Sequence, residues 1–143
     1  MSLNFGHLER CIVTLERSLT FLDGSAPESD DYEVFRNAVI KGFELTLETT
    51  GKLLRKVLRE YAGNPKTVNE LVYKDLLRHA ARHGLMTPDE VERWFVYRDS
   101  RNDTAHDYGV EFAEQVLVLI RQFVVDVRRL HATLEERHGA GTN

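Results

Sequence analysis

Residues 31–61, DYEVFRNAVIKGFELTLETTGKLLRKVLREY, set Phe35, Val39, Phe43, Leu47, Leu54, Val57, Leu58 and Tyr61 at intervals that fall on one broad face of a helix. No strand-type alternation interrupts them, so the segment predicts a single helix of unusual length. Lys52, Arg55, Lys56 and Arg59 load its C-terminal half with positive charge, which suits the helix dipole. Gly42 and Gly51 each cost a helix about 0.8–1 kcal/mol, so their expected use is to let a neighbouring helix come close. A helix this long needs partners along its whole apolar face, and the flanking sequence supplies them.

Upstream, Leu8, Ile12, Leu15, Leu19 and Leu22 recur at steps of four and three, predicting an amphipathic helix over about Leu3–Leu22. Asp23-Gly24-Ser25-Ala26-Pro27 ends it, and Asp30 or Asp31 is expected to cap the long helix. Downstream, Ala62-Gly63-Asn64-Pro65 closes the long helix, with a weak helical turn expected from Thr67. A shorter helix is predicted over Tyr73–His83, with Gly84 as a left-handed stop. Thr87-Pro88-Asp89-Glu90 then marks a helix start, with Thr at the cap, Pro at the first helical position and Glu three residues after the cap. The last helix is expected from Val110 to about Arg137. Its apolar positions (Phe112, Val116, Leu117, Leu119, Ile120, Phe123, Val124, Val127, Leu130, Leu134) exceed one stripe, which means burial on more than one side, in the bundle or at a dimer interface. The fold class is therefore all-α, an antiparallel four-helix up-and-down bundle with one additional short helix. Residues 1–138 are read as a single helical domain and 139–143 as a disordered tail.

Composition bounds the function. A chain of 143 residues with 42% hydrophobic and 29% charged residues is an ordinary globular domain. Its net charge of -4 argues against binding long nucleic acid through bulk electrostatics, though not against a local basic cleft. The single cysteine, Cys11, cannot form an internal disulfide and is expected as a small packed side chain in a reducing compartment. No apolar run approaches a membrane span or a signal peptide, so the expected location is cytoplasmic, away from any membrane.

The densest chemistry lies in Arg101-Asn102-Asp103-Thr104-Ala105-His106-Asp107-Tyr108. A guanidinium can clamp a phosphate, an imidazole can move a proton near neutral pH, and a phenol offers a stacking face and an oxygen. On an ideal helix Arg101 and His106 differ by about 140° around the axis, so their convergence on one phosphate requires the helix to end or loosen between Asp103 and His106, or the two to meet across a dimer. The former is expected, with the helix fraying near Thr104 and Gly109 helping the turn into the last helix. Asn102 is expected to orient the helix end or His106. Glu44, which interrupts the apolar stretch between Phe43 and Leu45, is either solvent-facing or a carboxylate that fixes Arg101.

Other clusters weigh less. Asp99, Asp103 and Asp107 stand four apart, but neighbouring Arg98 and Arg101 favour charge pairing over a metal. His79 and His83 share a helix face without a third ligand and read as solvated. Trp94 and Phe95 read as core. No cofactor or metal is expected.

Arg-x4-His-x-Tyr, here Arg101, His106 and Tyr108, resembles the motif of HEPN domains, specifically HepT-like toxins and the related nucleotidyltransferase substrate-binding proteins. The likeness extends to Phe43-Glu44 at mid-helix, Gly84-Leu85, and the helix order over about Leu3–Arg137. It implies a metal-independent ribonuclease toxin paired with a minimal nucleotidyltransferase antitoxin. Arg101 and His106 would be the catalytic pair, and a two-fold homodimer would bring two His106 side chains to one cleft. RNA is then the substrate, and Tyr108 either stacks on a base or accepts AMP from the transferase. A non-catalytic substrate-binding subunit of that transferase and a purely structural helical dimer are the competing readings.

Overall fold

The computed structural model describes residues 5–104 and 109–139. Six α-helices follow in order: α1 (Gly6–Asp23), α2 (Asp30–Tyr61), α3 (Pro65–Asn69), α4 (Tyr73–Arg82), α5 (Pro88–Thr104) and α6 (Gly109–Leu134), after which Glu135–Gly139 form a π turn. The long helices α1, α2, α5 and α6 make the antiparallel bundle expected from the sequence, with α4 as the additional short helix and α3 realising the weak turn after Pro65. No helix among the described residues is long and apolar enough to cross a membrane.

The caps explain the boundaries. Ser29, rather than Asp30 or Asp31, starts α2: its Oγ accepts from the Tyr32 backbone N–H at 3.1 Å, and the two aspartates sit inside the first turn, where they favour the dipole. Asn64 caps α3 through its side-chain oxygen. Gly84 takes a φ of +74°, the left-handed stop that the sequence predicts after α4. At α5 the capping box is reciprocal, with Glu90 N–H donating to Thr87 Oγ1 and Thr87 N–H to Glu90 Oε1, both at 3.1 Å.

Direction follows from long-range contacts. Arg121 pairs with Asp23, and Arg128 with Glu16 and Glu9, so α6 runs antiparallel to α1. Tyr32 meets Glu114 near one end and Phe43 meets Phe123 further along, so α2 and α6 run parallel across the bundle. Leu8, Ile12, Leu15, Leu19 and Leu22 of α1 are all buried, as their spacing predicts. An aromatic knot of Phe43, Trp94, Tyr97 and Phe123 fills the centre, with edge-to-face centroid separations of 4.9–5.6 Å. Among the described residues, Val116, Leu117, Ile120, Phe123, Val127, Leu130 and Leu134 of α6 are buried inside the monomer, where α6 packs on α1, α2 and α5, while Val118 and Val125 stay exposed.

The two α2 glycines serve different neighbours. A Cβ on Gly42 would stand 3.3 Å from Leu15 Cδ1, so this glycine admits α1. A Cβ on Gly51 would stand 2.6 Å from the Tyr73 ring, so this one admits a side chain from the start of α4 rather than a helix backbone.

Candidate functional site

Tyr73 anchors the wall of a groove between α2, α4 and α5. Its ring lies in the space over Gly51, its hydroxyl donates to the Leu47 carbonyl at 2.8 Å, and the Arg98 guanidinium lies 5.1 Å from its ring centroid. Burial pushes the Tyr73 phenol far above its ordinary range, against the opposing pull of Arg98, so it stays neutral and serves as a rigid wall. The groove has a volume of about 410 Å³ and is lined by Lys52 and Arg55 of α2 and by Arg98 and Arg101 of α5, with Glu48 as the one carboxylate among the described residues.

These cations are held differently. Arg55 donates to the Val68 and Asn69 carbonyls at 2.7 and 3.2 Å, tying α3 to α2. Lys52 makes a loose, exposed pair with Glu48 at 3.5 Å. A second hollow shares Tyr73 and Arg98 and is bordered by Lys74 and Asp99. Beside it Lys74 and Arg78 lie over the Phe95 ring at 5.5 and 5.0 Å, continuing the basic surface along α4. Acids are interleaved on this face, where Glu48 pairs with Lys52, Asp99 with Lys74 and Asp75 with Arg78 at 2.6 Å, so its positive charge is centred on Arg55, Arg98 and Arg101 in the groove.

Arg101 is the expected site residue that this face contains. It is half-buried in the groove wall, three residues and nearly one helical turn beyond Arg98. Asn102 follows on α5, and nothing is described of its side chain. His106 and Tyr108 lie outside the described residues, so the expected helix break beside them and their approach to Arg101 do too. Glu44 is half-buried on α2, one turn before Glu48, which lines the groove.

Several smaller expectations change. Asp99 pairs with Lys74 at 3.0 Å rather than with Arg98 or Arg101, because α4 packs against α5 at that level. His83 is exposed, as expected, and its ring also stacks on Tyr61 at 4.5 Å where the ends of α2 and α4 meet. Cys11 is half-buried, with its Sγ 3.7 Å from Thr49 Oγ1. Trp94 is fully buried and Phe95 partly so, in line with a core reading. Lys74 and Arg78, four apart on a short helix, were the signal in the sequence for the second wall of the basic face.

Comparison with known proteins supplies a context for this geometry. The chain is 28% identical over 140 residues to the probable ribonuclease HepT of Haemophilus influenzae, covering 95% of this chain and 94% of the relative. It superposes with a TM-score of 0.81, at 28% identity, on a Haemophilus influenzae structure described as the fold of a substrate binding domain of a nucleotidyltransferase, covering 92% of this chain and 99% of that one. A model of the family described as nucleotidyltransferase substrate binding protein like matches residues 3–136. With nearly the whole bundle matched, the chain belongs to the nucleotidyltransferase substrate binding protein like family.

Proposed function

We propose that this protein is a HepT-like ribonuclease toxin of the cytoplasm that cuts RNA without a metal and is controlled by a minimal nucleotidyltransferase. The observation that carries the reading is the placement of Arg101 in a groove with Lys52, Arg55 and Arg98. Such a groove suits the backbone of single-stranded RNA. In the proposed reaction Arg101 holds the scissile phosphate and stabilises the charge that develops on its oxygens through paired N–H bonds, which a lysine does less well. His106 is the proposed base, an imidazole that takes the proton from the 2′-OH as that oxygen attacks phosphorus. The 5′-oxygen leaves and needs a proton in turn, which His106 of a second copy supplies in a homodimer. Val118 and Val125, seven apart on α6 and exposed, offer apolar surface to such a copy. Asn102 and Glu44 are assigned to orienting this end of the site.

Tyr108 is the proposed acceptor of AMP from the transferase antitoxin. An added nucleotide there would put a bulky anion beside Arg101 and His106 and compete with RNA. The family description favours a second reading, in which the chain presents a substrate, or Tyr108 itself, to the transferase without cutting anything.

The deciding experiment incubates the purified chain with RNA in EDTA. Wild type is expected to cleave, while Arg101→Ala and His106→Ala, checked for folding by circular dichroism, lose at least about a hundredfold in rate. If wild type and His106→Ala leave the RNA equally intact, the nuclease reading fails and the binding-subunit reading takes its place. Mass spectrometry after incubation with the transferase and ATP then reads whether AMP lands on Tyr108, and an unaltered yield on Tyr108→Phe removes that residue from the scheme.

A further inference from the structure

Near the C-terminal end of α6, His131 is 5% exposed and its Nε2 is sealed from solvent with no hydrogen-bond partner. A buried imidazole nitrogen without a partner costs free energy unless something else engages it. Two carboxylates stand close by. Glu135 Oε1 lies 3.0 Å from that nitrogen, near enough for an ion pair yet outside hydrogen-bond geometry. Glu9 reaches in from α1, and one donor atom from each of Glu9, His131 and Glu135 lies within 4.8 Å of the others.

We propose that Glu9, His131 and Glu135 form a binding site for a divalent transition-metal ion of the zinc class. One imidazole nitrogen with two carboxylate oxygens is a donor set that zinc accepts, and the imidazole disfavours magnesium and calcium. Ligands held about 2.1 Å from zinc in a tetrahedron stand about 3.4 Å apart, which small side-chain rotations reach from the observed spacing. Two protein carboxylates and one imidazole leave the fourth position to water. Glu9 is available for this because Arg128 binds it loosely, at 3.5 Å, while holding Glu16 at 2.6 Å. Glu135 follows His131 by four residues, so the two share one face at the end of α6.

The ion would pin the end of α6 to the start of α1. Its site lies 22 residues along α6 from Gly109, about 33 Å at 1.5 Å per residue, so it takes no part in chemistry at residues 101–108. EDTA in the cleavage assay removes such an ion without removing any group from that window. The fate of the two proposals is therefore separable.

The test titrates the metal-free full chain with zinc chloride at pH 7, followed by calorimetry and by thermal melts, and repeats it with cobalt(II) to read its visible absorption. The expected result is one ion per chain, a rise in Tm, and cobalt bands of a nitrogen–oxygen site. Glu135→Gln and Glu9→Gln, both at exposed side chains, should weaken zinc by more than the roughly tenfold that loss of a supporting hydrogen bond costs. Glu136→Gln should bind like wild type. His131→Gln should abolish binding; because it alters a buried position, its circular dichroism is compared with wild type, and the Glu135 variant carries the decision if it unfolds. No binding at millimolar zinc, or binding that Glu135→Gln leaves unchanged, overturns the site.

Discussion

Arg93 on α5 forms a two-pronged pair with Asp126 on α6, Nε to Oδ2 at 2.8 Å and an Nη to Oδ1 at 2.9 Å, and Asp126 is fully buried. The Tyr97 hydroxyl also donates to that carboxylate, from within the aromatic knot. Burial pushes the Asp126 carboxyl up, but the hydrogen bonds from Arg93 and Tyr97 and the charges of Arg93 and Arg129 outweigh it, leaving the carboxyl below its ordinary 3.8. Asp126→Asn should therefore cost about 2 kcal/mol in urea unfolding at pH 7. The sign with pH follows: a value lowered by folding gives stability that is complete above the unfolded value of about 3.9 and is lost as pH falls through the lower folded one. The variant should show a shallower acid limb than wild type, and equal limbs would remove Asp126 as the source.

Gly51→Ala sets two effects against each other. Helix propensity gains up to about 1 kcal/mol. The new methyl would meet the Tyr73 ring at 2.6 Å, and that ring cannot swing aside without breaking its bond to the Leu47 carbonyl. Overpacking of about 1–3 kcal/mol should win, lowering Tm and shifting the groove wall under Arg98. A variant more stable than wild type would show that Tyr73 relocates freely.

Thr87→Ala removes one half of the capping box at α5 while Glu90 stays in place. The cost should be about 1 kcal/mol in chemical denaturation, with the far-ultraviolet spectrum unchanged. A loss under a few tenths would mean that Pro88 and the packing of Val91 fix this helix start without the cap.

Arg98→Ala probes the groove away from the catalytic pair. In a His106→Ala background, where RNA remains whole, anisotropy titrations over a salt series should show weaker binding of single-stranded RNA and a log–log slope smaller by about 0.7. An unchanged slope would place the RNA on another face.

Much of the fold was legible because helix punctuation is local. Gly84, the Thr87-to-Glu90 box and the leucine spacing of α1 each act over four to seven residues, and each reappears in the structure. The α2 cap moved to Ser29 because three polar residues in a row offer competing oxygens, and the backbone geometry of the connector chooses among them. Less of the site was legible. Lys52, Arg55, Arg98 and Arg101 come from two helices that only tertiary packing aligns, so their shared groove has no period in the sequence. Asp126 shows only as a lone acid in the apolar run Val124-Val125-Asp126-Val127, a signal for a buried ion pair that is readable once its partner is known.

The pairing of α1 with α6 has a consequence for synthesis. Arg128 reaches Glu16 across 112 residues of chain, whereas α1 and α2 are joined by a short connector and pack closely together. On a translating ribosome the first hairpin is complete long before the helix that covers it has been made. Until α6 arrives, Phe43 lacks the Phe123 ring that packs on it, so the nascent hairpin is the stage at which this chain most needs a chaperone or a slow, dilute supply of itself.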